Sequence, residues 1–171
     1  MACLEDSKEF SIRALTLDDL ELFKAIRLQA ITLHPDVFLD NAENAKERSN
    51  EQWAKPLLGS QKCVFGLFHF EKIIGLAAIF PDKEEAQTGL FAMGYIEKSF
   101  RRKGLSSLLY KARLQWAREH SHFKRIIVYH RNGNEASKRS MLNNGFKKIG
   151  QENVVFGDGE TDINYKYELI L

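Results

Sequence analysis

Three cations and a glycine stand together at Arg101-Arg102-Lys103-Gly104-Leu105-Ser106, between an apolar run ending at Tyr95-Ile96 and an amphipathic run that follows. A helix start leaves several backbone N–H groups unpaired and carries a partial positive charge. Gly104 has no Cβ to keep a ligand from that backbone, and Arg101, Arg102 and Lys103 add full charge. This combination suits a phosphate or pyrophosphate; the plainer alternative is a solvated basic turn. Two other glycine-rich phosphate loops do not fit, because there is no G-x-x-x-x-G-K-[ST] and no G-x-G-x-x-G after a strand. A second candidate is Arg27, which interrupts the apolar face of an N-terminal helix. It either anchors a carboxylate or phosphate in two-pronged fashion or snorkels from the helix edge. Phe38 and Trp53 are candidates for an apolar lid over a bound molecule, with core packing as the alternative.

The elements that must position these residues follow from periodicity. Phe10 to Ala14 reads as a short strand after a loose segment over residues 1–9. Thr16 with Asp19 forms an approximate capping box for a helix reaching Leu33, with Leu20, Phe23, Ala30 and Ile31 on one face; His34-Pro35 ends it. Ser49 with Gln52 opens a short helix that Pro56 limits. Cys63–Phe70 and Ile73–Phe80 read as a hairpin turning at Glu71-Lys72, and Ala86–Ile96 as a long strand. A strand glycine marks a bulge or a close backbone approach, and Gly94 is the place to expect one. Beyond the cradle, Leu105, Leu108, Leu109, Ala112 and Trp116 recur at helical spacing. Arg125–Tyr129 is a short strand, His130–Gly133 a loop, and Asn134 the cap of a helix that Gly145 stops. Phe146 begins another strand, and Asn153–Phe156 and Ile163–Leu171 flank the turn Gly157-Asp158-Gly159. The order β-α-α-β-β-β-α-β-α-β-β predicts an α/β fold with a mixed sheet of about seven strands and helices on both faces.

Length, 171 residues, fits one domain over 10–171, and 44% hydrophobic residues supply a core. No apolar run is long enough to span a membrane, and MACLEDSKEF lacks the marks of a signal peptide. Cys3 and Cys63 have no metal-ligand spacing and read as reduced thiols, so a cytoplasmic location without a metal is expected. A net charge of +2 does not argue for nucleic acid, although the basic run at 98–103 leaves such binding as a weaker third reading.

Arg101-x-x-Gly104-x-Ser106, after a strand and opening a helix, resembles the R-x-x-G-x-G/A pyrophosphate signature of the GNAT superfamily of N-acetyltransferases. The segment from Asn134-Glu135-Ala136-Ser137 to Gly145-Phe146 is similar to that family's N-x-x-[AS] followed by GF, and Arg27, Ala30, Pro35 and Phe38 resemble the substrate-side helix and loop of small bacterial members. The resemblance covers nearly the whole chain. It implies a GNAT-like sheet with a splayed parallel strand pair and acetyl-CoA as acyl donor. The pantetheine arm would pair with Gly94, Tyr95 and Ile96, and the pyrophosphate would rest on N–H groups from Arg102 through Lys103, Gly104, Leu105 and Ser106 to Ser107, with Arg101 and Asn134 beside it. The implied reaction is direct acetyl transfer to a primary amine of a small molecule or a peptide N-terminus, and a homodimer is left open as its assembly.

The sequence departs from that family at four points. Ser106 replaces a glycine or alanine, though its hydroxyl can donate to a phosphate. Met141 stands where many members carry a tyrosine that protonates the leaving thiolate, and Leu90 and Ala92 are apolar where others carry a base. A branch of the family that acetylates protein N-termini also tends to lack the tyrosine. The catalytic groups are therefore unknown, with Tyr129, His130 and Ser140 as candidates. The same departures keep open a non-catalytic acyl-CoA-binding module.

Overall fold

The computed structural model describes residues 8–171; Cys3 and most of the segment expected to be loose lie outside the described residues. Seven strands form one sheet in the order β1-β2-β3-β4-β5-β7-β6. In chain order these are β1 (Phe10–Ala14), α1 (Leu20–Leu33), α2 (Ala42–Lys46), α3 (Asn50–Ala54), β2 (Cys63–His69), β3 (Lys72–Pro81), β4 (Thr88–Ile96), α4 (Leu105–His120), β5 (Arg125–Arg131), α5 (Glu135–Asn143), β6 (Lys147–Val155) and β7 (Thr161–Ile170). β4 and β5 run parallel; the other pairs are antiparallel.

Alternation along the strands divides the core between two faces. On one, Val64, Phe68, Leu76, Ala78 and Tyr95 pack against Phe23, Ile26, Ala30 and Ile31 of α1 and Trp53 of α3. On the other, Phe65, Ile79, Phe91, Ile126 and Val128 pack against Tyr110, Leu114 and Ala117 of α4 and Met141 of α5. The capping boxes form at Thr16–Asp19 and Ser49–Gln52 as expected.

Four expectations change. The β2–β3 hairpin turns at Phe70-Glu71, since Lys72 already pairs with His69. Phe70 adopts the left-handed φ of 51° that such a tight turn requires, without asparagine or glycine. The short helix α2 is capped by Asn41 and has too few residues to show a period. The buried side of α4 is Leu105, Leu109, Tyr110, Arg113, Leu114 and Ala117, while Leu108 is exposed. Counting only apolar types missed Tyr110 and Arg113, whose long side chains turn inward. Finally, β5 continues through His130 to Arg131 because β7 pairs with it along its whole length.

Candidate functional site

The parallel pair holds only where Thr88, Gly89 and Leu90 face Arg125, Ile126 and Ile127. From Phe91 and Val128 onward the strands part. On its other edge, β4 pairs Ala92 with Ala78 and Tyr95 with Leu76, so Met93 and Gly94 together oppose Ala77 alone. This is the bulge anticipated at Gly94, and Met93 takes the positive φ, 59°. The extra residue puts Phe91 and Tyr95 on opposite faces of the sheet, where simple alternation would put them on one. A cleft of about 1250 Å³ opens between the strands, large enough for an extended ligand and a second molecule.

One end of the cleft is the start of α4. Arg102 and Gly104 both adopt left-handed φ, 64° and 76°, and this backbone forms an anion-binding concavity. Asn41, Ser49 and Asn134 cap α2, α3 and α5, and each of those helices has a glutamate in its first turn. α4 has no side-chain cap and no acidic residue there. Its positive end is thus left for an external anion, and a Cβ on Gly104 would project into open space. Gly94, Tyr95, Ile96, Arg101, Arg102, Gly104, Leu105, Ser106, Ser107 and Asn134 all line the cleft. These residues fit a pantetheine arm and a pyrophosphate.

Three residues expected at the cradle have other surroundings or partners. Lys103 is exposed and lies off the cleft wall. Arg101 folds back, donating from Nε to the Ile96 carbonyl at 2.8 Å and reaching His34 Nε2 at 3.1 Å, so it ties the cradle to the loop after α1. Beside Arg101 and partly buried, His34 is held below the ordinary imidazole range, burial being the larger cause. Ser106 donates to Ser140 Oγ at 3.2 Å and joins α4 to α5 across the cleft. Asn134 caps α5 by accepting from the Ser137 N–H at 3.2 Å.

The opposite end is walled by α1, the loop after it and the end of β3. Arg27 is 6% exposed rather than snorkelling. Its guanidinium stacks 4.8 Å from the Phe38 ring centre and reaches Asp40 at 3.5 Å. Asp40 is committed to Arg48 through bonds of 2.6 and 3.0 Å, and Arg27 Nε and Nη1 have no partner among the described residues. Burial lowers the Arg27 pKa to about 10, so it remains a cation at neutral pH. Phe38 is half-buried on the same wall, whereas Trp53 is 3% exposed in the core against Phe23 and does not border the cleft. The loop holding Phe38 is fastened from outside by the β6–β7 turn. Gly157 N–H donates to the Phe38 carbonyl at 2.8 Å, and Arg131 bridges Asp158, Asp162 and the Asp36 carbonyl.

Of the candidate acid–base groups, His130 is 5% exposed, with Nδ1 on the Arg131 carbonyl at 2.8 Å and Nε2 on the Tyr167 hydroxyl at 3.1 Å. Both ring nitrogens are engaged in the sheet, not in a mobile loop. Tyr129 borders the cleft, and burial pushes its phenol up, so it stays protonated and is no base at neutral pH. Ser140 is occupied by Ser106. Leu90, Ala92 and Met141 line the cleft as apolar walls. Sequence reasoning missed Asp82, Glu84 and Glu152 at the mouth, and Tyr110 and Arg113 in the interior. Arg113 could have been read from its place in the row Leu105, Leu109, Arg113, one helical turn apart each time. Among the described residues there is no cluster able to hold a metal and no helix long and apolar enough to cross a membrane.

Parallel strands that part beside an uncapped, glycine-led helix start define a cleft for an extended, phosphate-bearing ligand. The chain belongs to the Acetyltransferase (GNAT) family, whose sequence model matches residues 26–146. No curated protein sequence matches it. Among solved structures it is similar to a GNAT-family acetyltransferase from Streptococcus pneumoniae, with 19% identity, a TM-score of 0.79, and 95% of this chain and 100% of that one covered. It is also similar to ribosomal-protein-alanine N-acetyltransferase from Brucella melitensis, with 21% identity, a TM-score of 0.76, and 94% and 99% covered. A third is spermidine N-acetyltransferase from Vibrio cholerae in complex with CoA and spermine, with 14% identity, a TM-score of 0.75, and 95% of each chain covered.

Proposed function

We propose that this chain is an acetyl-CoA-dependent N-acetyltransferase, working as one domain over residues 10–171 in the cytoplasm, whose acceptor is a primary amine of a small molecule or a peptide N-terminus. The observation that carries this reading is the parting of β4 and β5 after Leu90 and Ile127, which leaves the Gly94–Ile96 backbone leading to the uncapped start of α4. The named substrates of the Brucella and Vibrio neighbours, a ribosomal-protein alanine and spermidine, are amines of both kinds. The amine nitrogen attacks the thioester carbonyl, the C–S bond breaks, and the electron pair leaves on sulfur. Bulged backbone at Met93-Gly94 suits the developing oxyanion. The ammonium must first lose a proton, and the carboxylates of Asp82, Glu84 and Glu152 at the mouth connect the cleft to solvent for that transfer. Arg27, with two unpartnered nitrogens under Phe38, supports an anchor for an acceptor carboxylate or carbonyl.

Apolar Leu90, Ala92 and Met141 favour a second reading, a non-catalytic acyl-CoA-binding module. One experiment separates the two. The protein is incubated with acetyl-CoA and a panel of amines and peptides, and acetylated products are read by mass spectrometry alongside CoA-dependent thermal melting. Melting shifts with transfer support the enzyme; shifts without transfer to any acceptor support the module; neither effect defeats both.

A further inference from the structure

We propose that Arg113 stabilises the departing CoA thiolate as a fixed positive charge, in place of the tyrosine acid that Met141 displaces. The proposal rests on the acetyl-CoA reading above and names the group that lets that chemistry proceed.

Arg113 lies on the inward side of α4, is 4% exposed, and has no carboxylate within ion-pair distance among the described residues. Among the described residues Arg113 donates from Nε to the Leu109 carbonyl of its own helix, at 3.2 Å, and the Tyr110 side chain is its other polar neighbour. The guanidinium stacks on Phe91, 4.1 Å from the ring centre, and on Tyr110 at 4.7 Å. Aromatic faces offset part of the cost of burying a cation, but they supply no counter-charge. Arg113 and Met141 both border the cleft, and Met141 packs in the cluster with Phe91, Tyr110 and Phe146. A buried cation bordering an open cleft is a place for an anion.

The depth along the cleft is right for sulfur. From the N-cap Gly104 to Arg113 is nine residues, about 13 Å along a helix. From Ile96 back to Phe91 is five residues, about 16 Å along a strand. The contact between Arg113 and Phe91 joins these two paths at one level, a pantetheine arm's reach from the pyrophosphate cradle and next to Ala92 and the bulge. Breaking the C–S bond places a negative charge on sulfur. A guanidinium there donates hydrogen bonds to the thiolate without transferring a proton, and the thiolate is protonated by solvent as CoA leaves. Burial brings Arg113 down to about 10, so it is charged at neutral pH. The other titratable groups packed in this cluster are Cys63 of β2, Tyr110 of α4, and Tyr165 and Tyr167 of β7, the last bonded to His130 of β5. Burial pushes Cys63 and Tyr110 upward, so neither competes as an anion.

The test reads the thiol itself. The ultraviolet absorbance of the CoA thiolate is titrated in the binary complexes of wild type, Arg113→Met, Arg113→Lys and Tyr110→Phe. In wild type the bound thiol should titrate about one unit or more below the ordinary thiol value of about 8.5. Tyr110→Phe and Arg113→Lys should keep the depression, and Arg113→Met should lose it. Acetyl transfer from thioesters of graded leaving-thiol acidity should depend more steeply on that acidity in Arg113→Met. Bound CoA with an undepressed thiol in wild type overturns the proposal even if Arg113→Met fails to fold. So does a depression that survives Arg113→Met or vanishes in Tyr110→Phe. A wild-type protein that binds no CoA defeats the acetyl-CoA reading itself, an outcome distinct from the others.

Discussion

Gly157 carries no candidate chemistry, yet its replacement by alanine should impair the acceptor side of the cleft alone. A Cβ built there lies 2.2 Å from the Asp40 carbonyl oxygen and 3.1 Å from those of Phe38 and Pro35. All three atoms are backbone, so no side chain can swing aside. The loop carrying Phe38 and Asp40 must retreat by about 1 Å to restore van der Waals distance. The retreat stretches the Gly157–Phe38 hydrogen bond, worth about 1 kcal/mol, and overpacking adds about 1–3 kcal/mol. For a chain of this size that lowers Tm by about 4–15 °C. Phe38 roofs Arg27 and Asp40 reaches it at 3.5 Å, so the acceptor pocket moves while the cradle at Gly104 stays. An ångström of misplacement is expected to lower acceptor kcat/KM by about 10–100-fold. Calorimetric titration with CoA should give an unchanged Kd. The reasoning is refuted if acceptor KM is unaltered in a variant with the lowered Tm, or if CoA affinity falls as far as acceptor kcat/KM.

Gly104→Val forces a branched residue into φ of 76°, at about 1–2 kcal/mol, and puts its side chain in the open space of the cradle; circular dichroism should show a folded protein whose melting no longer rises with CoA. Met141→Leu conserves volume in a 3%-exposed site and removes no proton donor, so single-turnover acetyl transfer should match the wild-type rate, in both proteins rising with pH as the acceptor ammonium loses its proton. Asp19 is held down from 3.8 to about 2, first by its hydrogen bond from Arg13. Its folded pKa lies below the unfolded one, so the stability it contributes is complete above about pH 4 and is lost as pH falls through about 2. Urea unfolding should therefore show Asp19→Asn less stable than wild type at pH 7, with the difference closing under strong acid.

Local and periodic features were determined by sequence. The strand–turn–helix around Gly104, the capping boxes at Thr16 and Ser49, the stop at Gly145 and the bulge near Gly94 depend on neighbours a few residues apart, so residue type and spacing reveal them. What required the folded chain was decided by contacts between distant segments. Arg27 meets Phe38 and Asp40 only because the loop after α1 turns back, and that loop is held by Gly157 more than a hundred residues later. His130 became a strand residue because β7 supplied its partners, and Trp53 became core because Phe23 lay across from it. Arg113 shows the limit most clearly. Its place on the inward row of α4 was present in the sequence, but whether a guanidinium there meets a carboxylate, water or an open cleft depends on the parting of β4 and β5. That parting is a property of the whole sheet: backbone groups carry no side-chain signature of whether the next strand pairs with them.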